Sequence, residues 1–155
     1  MQIGFGKHKG KTIALVVLKE PDYIKWLLEQ SEVTGNLAQV RTEVGRLLSV
    51  FDTKPIKSKC SGRNCGNPAV KFTAYAGNPS SLYPWCDTCD PYQTGAVRSR
   101  ISEIRTYREA LNHVEVRCSG QKKGYREIIR GIASDKGLPA RCGEAQAEAF
   151  FEMIG

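Results

Sequence analysis

Four cysteines stand where they could do chemistry together. They read Cys60-x4-Cys65 and Cys86-x-x-Cys89, separated by residues 66–85. Two close thiol pairs on either side of such a linker form the sequence pattern of a four-thiolate zinc site. Each tight turn offers two sulfurs from neighbouring positions, and the chain between them folds back to bring the pairs face to face. Four thiolates fill a tetrahedral zinc ion and leave no open position, so a single structural Zn2+ is expected and zinc catalysis is not. Two other readings of the cysteines stand beside this one. Disulfide pairing requires an oxidising compartment, and no signal peptide opens the sequence. A redox Cys-x-x-Cys requires a strand-to-helix setting, which Trp85 and Pro91 do not suggest.

The elements that must position these thiols are short. Val70–Tyr75 alternates apolar and polar residues, residues 77–81 are turn material, and Leu82-Tyr-Pro-Trp85 leads back to the second pair. This pattern predicts a β-hairpin carrying a knuckle at each end, a zinc-ribbon-like module. Gly62 and Gly66 flank the wider pair, and glycine would permit the unusual backbone angles a knuckle needs. Asp52–Ser58, with a proline and two lysines, reads as the connector into the module.

The 155-residue chain has a formal net charge of +7, which favours an acidic partner, nucleic acid being the commonest. The charge is uneven. Residues 54–71 hold five basic residues and no acidic one, residues 98–130 hold nine basic and four acidic, and residues 131–155 hold two basic and four acidic. Candidate phosphate contacts are therefore Lys57, Lys59, Arg63 and Lys71 in the cysteine module, and Arg98, Arg105, Lys122 and Lys123 after it. No apolar run reaches membrane-spanning length. No base-reading motif appears, and neither do paired carboxylates or a nucleophile with a base and an orienting group.

The N-terminal residues add a second basic feature. Phe5-Gly-Lys-His-Lys-Gly-Lys11 is a glycine-loosened turn in which Lys7, His8, Lys9 and Lys11 could meet phosphate. It lacks the spacing of a nucleotide-binding P-loop. Thr12 can cap the segment Ile13–Leu18, helical or extended, and Pro21 suits the first turn of the next helix. Tyr23, Trp26 and Leu27 recur at helical spacing and are expected to face the core. The two motifs Phe5-Gly-Lys-His-Lys-Gly10 and Pro21-Asp-Tyr-Ile-Lys-Trp26 resemble the small C-terminal domain of exodeoxyribonuclease X-like proteins, over about the first 50 residues. Ile24 stands where that family usually has leucine, and Val16 and Val17 stand where it commonly has charged or small residues. The resemblance implies an accessory nucleic-acid-binding role. It does not imply the nuclease, whose acidic residues belong to a separate domain.

Further helices are predicted over Leu37–Phe51, Ala96–Asn112, Tyr125–Asp135 and Glu144–Ile154, with a short strand over His113–Cys118. On the helix after Ala96, Arg98 and Arg105 would lie one heptad apart as a basic face, or Arg105 would pair with Glu109. Cys118 and Cys142 read as small buried apolar residues, and His8 and His113 are isolated. The apolar end of the last helix, with Phe150, Phe151, Met153 and Ile154, is expected to dock on the core.

The expected fold class is α+β. Residues 1–53 form a small helical domain, residues 54–95 a zinc-bound β-hairpin module, and residues 96–155 a mainly helical region. The expected function is that of a small, zinc-stabilised, non-enzymatic nucleic-acid-binding accessory protein in the cytoplasm, with DNA favoured over RNA. No membrane or small-molecule substrate is expected. The alternative is a protein-interaction module of phage or mobile-element origin that acts on a host protein.

Overall fold

Thr12 ends the N-terminal turn and starts α1 (Ile13–Lys19), its hydroxyl accepting from the Leu15 amide at 3.4 Å. The apolar run Ile13–Leu18 is thereby explained. Val16 and Val17 are fully buried, because α1 packs against α2, α3, α5 and α6 and has little free side. α2 (Pro21–Glu29) begins on Pro21, whose missing N–H is one a helix start leaves unpaired anyway. Its buried face is Ile24 and Leu27. Trp26, expected to turn inward, is 47% exposed, because the core stripe runs through its neighbours three and four positions apart and passes it by.

The computed structural model describes residues 1–4 and 6–152. Phe5 of the basic turn, and Met153 and Ile154 of the predicted last helix, lie outside the described residues. α3 (Gly35–Thr53) presents Val40, Val44, Leu47, Leu48 and Phe51 to the core. The connector that follows is held by the far end of the chain. Ser58 donates from its backbone N–H and its hydroxyl to the Asp135 carboxylate, at 3.1 and 2.7 Å. The buried Lys136 ammonium donates to the Phe51 carbonyl at 2.5 Å, satisfying an acceptor in the last turn of α3.

Six helices and a three-stranded antiparallel sheet make the described residues an α+β fold. The sheet order is β2-β1-β3, with β1 (Lys71–Tyr75) central, β2 (Tyr83–Trp85) completing the predicted hairpin, and β3 (Ile101–Ile104) on the other edge. β3 corrects the sequence reading. No helix runs from Ala96: the chain makes a 3-10 turn at Arg98–Arg100, enters β3, and starts α4 (Tyr107–Arg117) afterwards. The predicted strand at His113–Cys118 is the end of α4 and its cap, and Val116 of the apparent alternation is 69% exposed. The reason is local. Thr106 and Glu109 form a reciprocal capping box that fixes the helix start at Tyr107, so the isoleucines before it are left to pair with β1.

α5 (Lys122–Asp135) and α6 (Glu144–Glu152) close the fold. One buried apolar cluster runs from Ile3 to Phe151, so the helices before and after the cysteine module share a core. Phe150 and Phe151 dock into it, as the sequence suggests. The cysteine module keeps only a small cluster of its own: Cys60, Trp85 and Cys86, edged by Cys65 and Cys89.

Candidate metal centre and basic motif turn

Backbone pairing brings the two cysteine turns together. The Val70 amide donates to the Trp85 carbonyl at 2.8 Å, and the Ser61 amide to the Pro84 carbonyl at 2.8 Å, so the first turn lies against β2 where it enters the second. The sulfurs of Cys60, Cys65, Cys86 and Cys89 all lie within 4.8 Å of one another. Those of Cys65 and Cys86 are 3.8 Å apart, and all six cysteines of the chain are free thiols. A tetrahedron with metal–sulfur bonds of about 2.3 Å has edges of about 3.8 Å, so the separation suits a shared metal ion.

The glycines of the wider pair act differently from the expectation. Neither Gly62 nor Gly66 takes a left-handed backbone; Asn64 does, with φ 59°. Gly62 is needed for space. A Cβ there would stand 2.6 Å from the Cys89 sulfur and 3.3 Å from that of Cys60. Its N–H donates to the Cys60 sulfur at 3.3 Å. The electrostatics of the group are divided. The Thr88 hydroxyl and backbone N–H groups bring Cys86 down to about 5, whereas the neighbouring sulfurs of Cys86, Cys65 and Cys60 push Cys89 up to about 12. Cys86 forms a thiolate readily and Cys89 resists it, a conflict that a divalent cation among the four would remove.

The motif turn is the second site. Ile3 and Lys11 pair across it, with the Ile3 amide donating to the Lys11 carbonyl at 2.9 Å and Gly10 returning to Ile3 at 2.8 Å. Gly6 and Gly10 have φ of 72° and 86°, the left-handed region where a side chain is strained. His8 is buried, edge-on to the Tyr23 ring at 4.9 Å, and Tyr23 in turn lies 5.6 Å from the exposed Trp26 ring. The Lys11 ammonium approaches His8 Nδ1 at 3.2 Å and so donates to a neutral imidazole. Burial, then Lys11, lowers the His8 pKa, with Glu20 opposing.

The first turns of α5 complete this site from the other end of the sequence. Arg126 pairs with Glu20, and the Lys122 ammonium lies 3.9 Å from the Asp22 carboxylate. The positive charges of Lys7 and then Arg126 lower the Lys122 pKa, while Asp22 opposes. Asp22 Oδ1 and Arg126 Nε are buried without hydrogen-bond partners, 3.9 Å apart. Like charges are thus gathered at one spot, with fewer carboxylates than cations to balance them.

Residues 3–32 match the model of the exodeoxyribonuclease X-like C-terminal family. The matched stretch spans the motif turn, α1 and α2, and stops before α3 and the cysteine module. No curated protein and no solved structure matches the chain. No helix among the described residues is long and apolar enough to cross a membrane.

The other basic residues named from sequence are dispersed. Lys9, Lys57, Lys59, Arg63 and Lys123 are exposed. Lys71 is not available at the surface: it is 7% exposed, and its ammonium donates to Glu103 at 2.5 Å across the β1–β3 pairing. Without a helix over residues 96–106, Arg98 and Arg105 share no helical face. Arg98 stacks 4.1 Å over the Tyr92 ring, and Arg105 pairs with Asp87 beside the cysteines. Glu109 spends its carboxylate on the amides of Arg105 and Thr106.

Sequence reasoning left His113 isolated. In the fold its Nδ1 meets the Ser102 hydroxyl at 2.7 Å, and its Nε2 faces the Asn78 carbonyl at 3.4 Å and the Cys118 sulfur at 3.5 Å. The imidazole is 1% exposed, and burial lowers its pKa. This group joins α4 to the sheet.

Proposed function

We propose that the chain is a small, zinc-stabilised nucleic-acid-binding accessory protein that contacts phosphate backbone through basic side chains and carries out no catalysis. The carrying observation is that Lys11 of the motif turn and Lys122 and Arg126 of α5, more than a hundred positions apart in sequence, converge on the two carboxylates Glu20 and Asp22. Cations gathered against their mutual repulsion are relieved by an anion, and a polyanion gains further by releasing its counterions. The family match over residues 3–32 supports a nucleic-acid role, and its deoxyribonuclease name favours DNA over RNA. Zinc is the metal assigned to Cys60, Cys65, Cys86 and Cys89, because four thiolates in two close pairs are its commonest structural site. Such a site has no open coordination position, and the His113 imidazole that meets Ser102 is buried, so neither serves as a reaction centre in this reading. Free thiols suit the reducing cytoplasm.

The test is fluorescence anisotropy of labelled single- and double-stranded DNA and RNA, titrated with the metal-loaded protein over a salt series. Binding that weakens steeply with salt is the expected result. Absence of binding even at about 50 mM salt overturns the proposal and moves the weight to a protein partner.

A further inference from the structure

The sheet has two unlike faces. Phe72, Ala74 and Ile104 point into the shared core, and strand alternation sends Lys71, Thr73, Tyr75, Tyr83, Trp85, Ile101 and Glu103 to the other side. The middle of that side is closed, with Lys71, Thr73, Trp85 and Ile101 buried and the Trp85 indole donating to the Thr73 hydroxyl at 2.8 Å, which leaves the two tyrosines as its open rings. On that outer face Tyr83 is opposite Thr73, and Tyr75 is its diagonal neighbour on β1. Tyr75 is 42% exposed and Tyr83 46% exposed. Large rings that a small sheet leaves in water need a reason, and here two share one face. The acid of this face is already neutralised, since Glu103 accepts from Lys71 at 2.5 Å and from the Tyr92 hydroxyl at 3.2 Å. The rim carries two arginines and one acid. Arg98 lies over the Tyr92 ring with its side chain 73% exposed and 4.0 Å from the Asp90 carboxylate, and Arg100 is exposed where its carbonyl accepts from the Ala76 amide, next to Tyr75.

We infer that this outer face is a stacking platform for unpaired bases of a single-stranded nucleic acid, with Tyr75 and Tyr83 under the bases and Arg98 and Arg100 beside the phosphates. Rings on adjacent strands offer π-faces to any base, which gives affinity without sequence preference, and a duplex keeps its bases out of reach. Diagonal positions on paired strands are about 7–8 Å apart, so the two rings can serve neighbouring bases. The metal centre supports the platform, because β2 runs from Tyr83 directly into the ligand Cys86. This inference rests on the nucleic-acid reading and specifies the strand state that it binds.

The experiment uses the full-length, metal-loaded protein and fluorescein-labelled oligothymidylate of about 15 nucleotides, set against a duplex of equal length. The proteins are wild type, Tyr75→Ala, Tyr83→Ala, Tyr83→Phe and the pair Lys7→Gln with Lys122→Gln. Single strand is expected to bind more tightly than duplex. Each tyrosine-to-alanine change is expected to weaken single-strand binding about tenfold or more while leaving the salt slope unchanged, and Tyr83→Phe to retain binding. Alanine variants that keep their metal and bind single strands like wild type, while the lysine pair weakens binding, overturn the platform and leave the nucleic-acid reading standing. Wild-type protein that binds neither polymer at low salt overturns both.

Discussion

The Tyr107 hydroxyl donates to the Val17 carbonyl at 2.7 Å, inside the core. Val17 lies in the last turn of the short helix α1, where carbonyls have no partner within the helix. A residue at the start of α4 therefore completes the helix that opens the fold, while its own amide donates to Asp52 at 2.8 Å. Tyr107→Phe keeps the ring but leaves the Val17 oxygen buried and unpaired. It is expected to cost about 1–3 kcal/mol, read as a lower midpoint in urea with an unchanged slope. A midpoint equal to wild type would mean that the bond contributes nothing.

A metal ion held by the four cysteines is expected to carry much of the module's local stability. Its module has three buried residues of its own, two of them the cysteines Cys60 and Cys86. Chelation, or Cys86→Ser, is expected to remove the metal and loosen residues 60–89, while the helices keep their shared core. Amide hydrogen exchange with and without chelator would locate the change. Equal protection of β2 in both states would show that the strand needs no metal.

Gly62 gives a finer test of the same site. An added methyl would meet the Cys89 sulfur at 2.6 Å, and a sulfur bound to metal cannot yield without distorting the tetrahedron. Gly62→Ala is expected to lose about tenfold or more in metal affinity, measured by competition with a chromophoric chelator. Gly66→Ala, with nothing within 4 Å of its added carbon, is the control.

The cysteine pairs and the long apolar stripes were legible in sequence because each obeys a local rule. Spacing identifies the thiols, and period identifies α2, α3, α5 and α6. The segment around β3 was misread because Val97, Ile101 and Ile104 imitate helical spacing, whereas Ile101 and Ile104 are buried on a strand four residues long. Thr106-Tyr-Arg-Glu109 was the available signal for the true helix start. The approach of Lys122 and Arg126 to Asp22 and Glu20 had no such signal, because it depends on how α5 packs against α2. Trp26 was taken as core because it recurs at helical spacing with Tyr23 and Leu27, but the buried stripe runs through Ile24 and Leu27 and left it outside.

The buried His8 makes stability depend on pH. Its pKa is lowered in the folded chain, so below about 6.5 the unfolded chain takes up a proton that the native state resists. Stability is therefore full above that pH and falls as pH drops through the folded value. His113 contributes with the same sign. The thermal midpoint should fall between pH 7 and pH 5, and His8→Gln, which retains an acceptor for Lys11, should fall less. Parallel curves for the two proteins would refute the assignment to His8.

The salt dependence of DNA binding tests the motif turn. Each lysine that touches a phosphate adds about one to the slope of log affinity against log salt, whatever the base sequence. Replacing Lys7 and Lys122 by glutamine should lower that slope by about two and weaken binding evenly across sequences. Lys71→Gln is the opposite case. Lys71 is already committed to Glu103, so its loss should leave the slope unchanged and reduce stability at the β1–β3 pairing. A slope that falls with Lys71→Gln and not with the Lys7 and Lys122 pair would move the phosphate contacts from the motif turn to the sheet.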